Sequence, residues 1–183
     1  MQKYFTLDEC LELISGENGK RCYRLLEDNR ELFEKARGSK TKHQAWEGGY
    51  LDYITETMNI AVSLYYRLDN LRALDFKVSD SLLVLFLHDL EKPFKQNYKK
   101  LGLENENGVK DENKIKEFKK QLISKYGFEL TEEQENALKY CEGEGEDYDL
   151  HKRVQLPLAA FVHICDVVSA RIWHDYPKEK GKW

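Results

Sequence analysis

Proline and glycine are scarce in this chain: three prolines (Pro93, Pro157, Pro177) and 11 glycines are spread over 183 residues, so little interrupts a helical reading. Long apolar runs are missing as well. The longest, Leu82 to Leu87, falls far short of the roughly 20 residues that cross a bilayer, and the stretch Met1-Gln2-Lys3-Tyr4-Phe5-Thr6 lacks the apolar centre of a signal peptide. These absences predict a cytoplasmic protein with no membrane partner. No C-x-x-C pair is present. The four cysteines, Cys10, Cys22, Cys141 and Cys165, are scattered, which suits reduced packing thiols better than a disulfide frame or a cysteine zinc site. Excess positive charge is also lacking: 29 basic against 33 acidic residues leave a net charge of -4. That excludes an extended nucleic-acid surface, and an anionic ligand must find a local pocket.

What is present suits one compact domain. A length of 183 residues with 41% hydrophobic and 12% aromatic side chains supplies a full core, and 34% charged residues supply a solvated surface. Apolar spacing of three and four predicts an all-α, single-domain helical bundle. Thr6-Leu7-Asp8-Glu9 has the form of a capping box and opens a short helix ending near Gly16. A second helix is predicted from about Lys20 to Arg37. A third runs from about Tyr50 to Leu74 behind the glycine pair Gly48-Gly49. A fourth, capped by Ser79 or Asp80, runs from Ser81 to about Lys92; being apolar all round, it should be the central helix. Residues 95–120 turn to Lys, Asn, Glu and Gly, predicting a flexible polar insertion followed by a surface helix. Thr131 opens a helix to about Cys141, and Pro157 starts the last one, to about His174.

Two of these helices carry ionisable groups in apolar surroundings. Leu82–Leu87 runs straight into His88-Asp89 and then Lys92, and Asp166 stands inside Phe161-Val162-His163-Ile164-Cys165-Asp166-Val167-Val168. A buried carboxylate or imidazole needs a cation or dense hydrogen bonding, and a divalent metal ion can supply the charge; the alternative is that His88 and Asp89 emerge at a wet helix end. His163, one turn before Asp166, reads as a core or supporting histidine. A third segment, Lys42-His43-Gln44-Ala45-Trp46-Glu47-Gly48-Gly49-Tyr50-Leu51-Asp52-Tyr53, sets a histidine and an aromatic before a glycine turn.

The ordered set, His-x-x-Trp-x-Gly-Gly-x-Leu, then an apolar run ending His-Asp-x-x-Lys, then a late Asp in an apolar helix, resembles the HD-domain superfamily of metal-dependent phosphohydrolases over roughly residues 40–175. The resemblance implies an HD-like domain at 39–176, with helices 1–38 packed on it and a tail at 177–183. It implies a divalent ion (magnesium, manganese, zinc, nickel or iron) held by His88, Asp89 and Asp166. Asp89, Lys92 and Glu56 would be catalytic, and Lys42, Trp46 and Arg171 would bind a phosphoester, such as a nucleotide stacked on Trp46 or Tyr50.

One departure from the family pattern stands out: Tyr53 occupies the place of the first family histidine, and a phenol that titrates near 10 is a poor ligand for such ions at neutral pH. Three outcomes follow: His43 is the replacement ligand, Glu56 offers an oxygen, or the site is impaired. The acidic segment Glu142 to Glu146 lacks the further histidines of two-metal relatives, which favours one ion, or magnesium or manganese, over a di-iron centre. Two functions remain open, a metal-dependent phosphohydrolase and a catalytically degenerate module that binds a nucleotide or protein partner. Trp173, Tyr176 and Trp183 offer an apolar patch for a homo-oligomer.

Overall fold

A computed structural model describes residues 3–173. It contains eight α-helices: α1 (Leu7–Glu12), α2 (Glu17–Asp28), α3 (Arg30–Lys35), α4 (Gly49–Leu71), α5 (Val78–Leu87), α6 (Glu112–Lys125), α7 (Glu132–Tyr140) and α8 (Pro157–Ile172). No strand occurs among the described residues, and the fold is the all-α bundle the spacing predicts. No described helix is long and apolar enough to cross a membrane. Trp173 is 47% exposed; Tyr176, Trp183 and the 177–183 tail lie outside the described residues.

Local signals act where the sequence places them. The Thr6 hydroxyl accepts from the Glu9 amide at 3.2 Å while the Glu9 carboxylate accepts from the Thr6 amide at 2.8 Å, satisfying orphan donors at the start of α1. Thr131 and Gln134 do the same for α7 at 3.3 and 3.0 Å. Three expectations are corrected. The helix predicted over 20–37 is broken at Asn29, whose side-chain amide is drawn to the Leu25 carbonyl at 2.8 Å and the Tyr126 hydroxyl at 2.9 Å, a tertiary tie that local propensity does not encode. Helix α5 starts at Val78 and ends at Leu87: Asp80 accepts from the Lys77 amide at 2.9 Å, and Ser79 takes the Ser15 amide at 2.8 Å instead of capping. The polar segment after Lys95 is anchored at both ends, because Leu103, Ile115 and Leu122 are buried and Asp111 accepts from the amides of Asn113 and Lys114 at the start of α6.

Helix α5 is the central helix. From Leu82 to Leu87 no side chain exceeds 2% exposure, and each such burial is worth roughly 1.5–3 kcal/mol. Helices α2, α4, α7 and α8 surround it, with α1 and α3 on α4. All four cysteines are free and buried within this core. Burial pushes the Cys10, Cys141 and Cys165 thiols up to about 12, so they stay protonated and inert.

One loop fixes how α4 begins. Residues 38–48 fold back so that the Gly38 amide donates to the Gln44 carbonyl at 3.0 Å and the Gly49 amide to the Trp46 carbonyl at 3.0 Å. A Cβ on Gly49 would lie 2.0 Å from the Gln44 oxygen, so only glycine permits this approach. Gln44 itself is held at φ 42°, a left-handed conformation rare for a residue with a side chain.

Candidate functional site

The ends of α4, α5 and α8 converge on a cleft of about 570 Å³. Burying α5 along its apolar run drives its last turn into the bundle, so His88 and Asp89 are only 4% and 5% exposed. Tyr53, one face of α4, is 1% exposed and meets Asp166 of α8 across them. His88, Asp89 and Asp166 therefore do come together, and they do so around the Tyr53 hydroxyl.

The hydrogen bonds assign the protons. His88 Nδ1 lies 2.7 Å from the Leu85 carbonyl, an acceptor only, so Nδ1 carries hydrogen. The Tyr53 hydroxyl donates its single proton to Asp166. It therefore faces His88 Nε2, 2.8 Å away, with a lone pair, and the other neighbour of Nε2 is the Asp89 carboxylate at 3.3 Å. Both imidazole nitrogens meet acceptors, so His88 is an imidazolium. Its pKa direction agrees: burial works against the charged ring, but Asp89, by charge and hydrogen bond, and then Asp166 outweigh it and raise the value. Burial likewise works against the charged form of Asp89, yet His88 and Lys92 hold its carboxyl well below the usual range. The Lys92 ammonium sits 2.5 Å from Asp89 and 4.7 Å above the Tyr53 ring. Tyr53 is pushed well above its ordinary 10, first by burial and then by Asp89 and Asp166, so it stays a phenol.

These residues do not fit a divalent ion as arranged. Two carboxylates, Asp89 and Asp166, are already met by an imidazolium, an ammonium and a phenol proton, and among the described residues no group of three or more His, Cys, Asp and Glu side chains is arranged to hold a metal. An imidazolium has no lone pair to give. Charge balance, which a metal ion was expected to supply, comes from the chain's own protons.

The remaining expected residues divide. Lys42, His43, Lys92, Asp89, Asp166 and Arg171 line the cleft, together with His163 and Glu142. His163 Nδ1 is 2.7 Å from the Cys141 carbonyl, a tie between α8 and the end of α7. Trp46 and Tyr50 are not among the lining residues. Trp46 Nε1 donates to Asp52 at 2.8 Å, and fully buried Tyr50 donates to the Asp89 carbonyl at 3.2 Å while its ring meets Phe33 edge-on at 5.3 Å. Both anchor the start of α4. Glu56 is also behind the wall, where Ser169 donates to it at 2.5 Å and Gln44 Nε2 at 3.1 Å. Sequence reasoning missed Gln44 and Ser169. Ser169 follows Asp166 by one helical turn, a spacing that puts both on one face of α8, but a lone serine there carries no chemical signature.

Compared with models of protein families, with curated proteins and with solved structures, the chain matches none. Its site is read from its own geometry.

Proposed function

We propose that the chain binds a small phosphoester, such as a nucleotide, in this cleft without a metal ion and without turnover, on a helical scaffold of HD type. The observation that carries the reading is the Tyr53 hydroxyl between His88 and Asp166, with Lys92 on Asp89. Protein donors hold the places where a hydrolase of the resembled kind needs an ion. The cleft keeps the means to hold an anion. Lys42, Lys92, Arg171 and the imidazolium of His88 behind the wall count four positive charges against three from Asp89, Glu142 and Asp166, and Ser39 and Thr41 add hydroxyl donors at the rim. Phosphate is recognised by such convergent donors. Four free cysteines also suit a reducing cytoplasm.

A second reading, hydrolysis of the same class of phosphoester with a divalent ion, is favoured by the convergence of His88, Asp89 and Asp166. It requires Tyr53 to turn away, His88 to lose a proton and Lys92 to release Asp89. One experiment separates the two. AMP and inorganic phosphate are titrated calorimetrically in chelator, and phosphate release from AMP is followed with magnesium, manganese, zinc or nickel added. Binding in chelator with no release under any ion is the expected result. Binding or release only with an ion overturns the metal-free reading.

A further inference from the structure

Behind the cleft wall lies a second polar cluster that the binding reading does not use. Gln44 is 3% exposed, Glu56 7% and Ser169 0%. Gln44 Nε2 donates to Glu56 Oε1 at 3.1 Å and to the Ser169 hydroxyl oxygen at 3.3 Å, and Ser169 donates to Glu56 Oε1 at 2.5 Å. Burial raises the Glu56 carboxyl above its ordinary value, with Ser169 and Gln44 pulling the other way. A buried carboxyl of this kind is a cost to the fold. So is the left-handed backbone of Gln44, at φ 42°, which the loop contacts of Gly38 and Gly49 enforce. Such strain persists where surrounding structure over-determines it, and it concentrates at binding sites.

The consequence is felt at His43. Since the amide nitrogen of Gln44 is committed to Glu56 and Ser169, the atom it turns to His43 is its carbonyl oxygen, 2.8 Å from Nδ1. An amide oxygen only accepts, so Nδ1 of His43 carries hydrogen. The ring leans on Tyr53 with centroids 5.0 Å apart and lines the cleft, and in the neutral ring the Nδ1 proton is the only one. Nε2 is then a lone pair. An ionised phosphate brings only acceptors, so an acceptor in the wall is complemented by an O–H or N–H elsewhere on the ligand.

From this geometry we infer that Glu56 and Ser169, acting through Gln44, hold His43 as an acceptor that selects phosphoesters carrying a hydroxyl beside the phosphate. The inference rests on the binding reading for its ligand but not for its hydrogen bonds. Gln44, Glu56 and Ser169 are positioning residues, and His43 is the group that would touch ligand.

Two measurements test it. Nitrogen-15 NMR of the ligand-free protein at pH 7 reads the His43 ring directly: a protonated Nδ1 and bare Nε2 are expected, and hydrogen on Nε2 overturns the inference. In Gln44→Met the single tautomer should give way to a mixture, and Ser169→Ala, a milder change, should shift the ring pattern in the same sense; an unchanged pattern in both folded variants also overturns it. The second measurement compares ribose 5-phosphate with methyl phosphate by calorimetry. Wild type should prefer the hydroxylated ligand by about tenfold, the worth of one good hydrogen bond, and Gln44→Met should lose most of that preference while keeping its affinity for methyl phosphate. Equal affinities in wild type sink the selectivity alone. If neither phosphoester binds wild type, the cleft reading and the selectivity fall together, while the tautomer, read without ligand, still decides the hydrogen-bond chain.

Discussion

Two polar rungs join α4 to α8, and they solve the same burial problem in opposite ways. Tyr53 reaches Asp166, and one turn further along both helices Glu56 meets Ser169. The first rung is charge-matched. Asp89 and Asp166 face His88 and Lys92, so the Asp89 carboxyl is held low and the His88 ring is held charged. The second rung has one carboxyl and only neutral donors, Ser169 and Gln44, so burial prevails and the Glu56 value rises. Desolvation is the largest influence in all three groups; the presence of an opposite charge within reach decides whether it wins.

The contrast predicts a ranked set of effects. Asp89→Asn leaves the buried imidazolium of His88 and the half-buried Lys92 without their shared anion and should cost about 3 kcal/mol, since breaking one partner of a buried pair is far more damaging than the pair is stabilising; urea unfolding measures it, and a loss below about 1 kcal/mol would mean the first rung is not charge-matched. Tyr53→Phe keeps the ring under Lys92 but takes the phenol proton from Asp166 and leaves His88 Nε2 with Asp89 alone, for a loss of about 2 kcal/mol by the same assay. Ser169→Ala removes one neutral donor and should cost about 1 kcal/mol. If Ser169→Ala proved the more costly of the last two, the ranking of the rungs would be reversed.

The smallest effect is the pH dependence, in which each group acts over its own range. Folded His88 titrates above its ordinary 6.5, so the stability it contributes is complete below 6.5 and fades as pH rises through the folded value. Asp89 titrates below its ordinary 3.8, so its contribution is present above 3.8 and is lost on further acidification. Glu56 titrates above 4.5; the folded state holds its proton more tightly, and stability declines as pH climbs from 4.5 through the raised value. Glu56→Gln should abolish that decline and leave the other two slopes in place, as unfolding midpoints across pH 3 to 9 will show.

Much of the first rung was legible in the sequence because its members are chemically out of place: His88 and Asp89 end an apolar run, and Asp166 interrupts another. The partners were not legible. That a tyrosine proton would meet Asp166 depends on how α4 faces α8, which no local pattern states. The second rung was less legible still. Glutamine and serine are ordinary surface residues, and Gln44 is buried only because Gly38 and Gly49 let the loop close over it. Helix positions followed the apolar period and the threonine caps. They failed at Asn29, where a distant tyrosine hydroxyl competes with the helix, and at the end of α5, which stops at Leu87 instead of running on to Lys92.

The most direct test is the protonation of His88 with and without a divalent ion. Nitrogen-15 NMR of the protein in chelator at pH 7 should show both ring nitrogens bearing hydrogen, unchanged in a second sample with the diamagnetic ion zinc at millimolar concentration instead of chelator, with AMP affinity equal in both samples. A His88 ring that loses its Nε2 proton on zinc addition, with AMP binding appearing only then, would contradict the account.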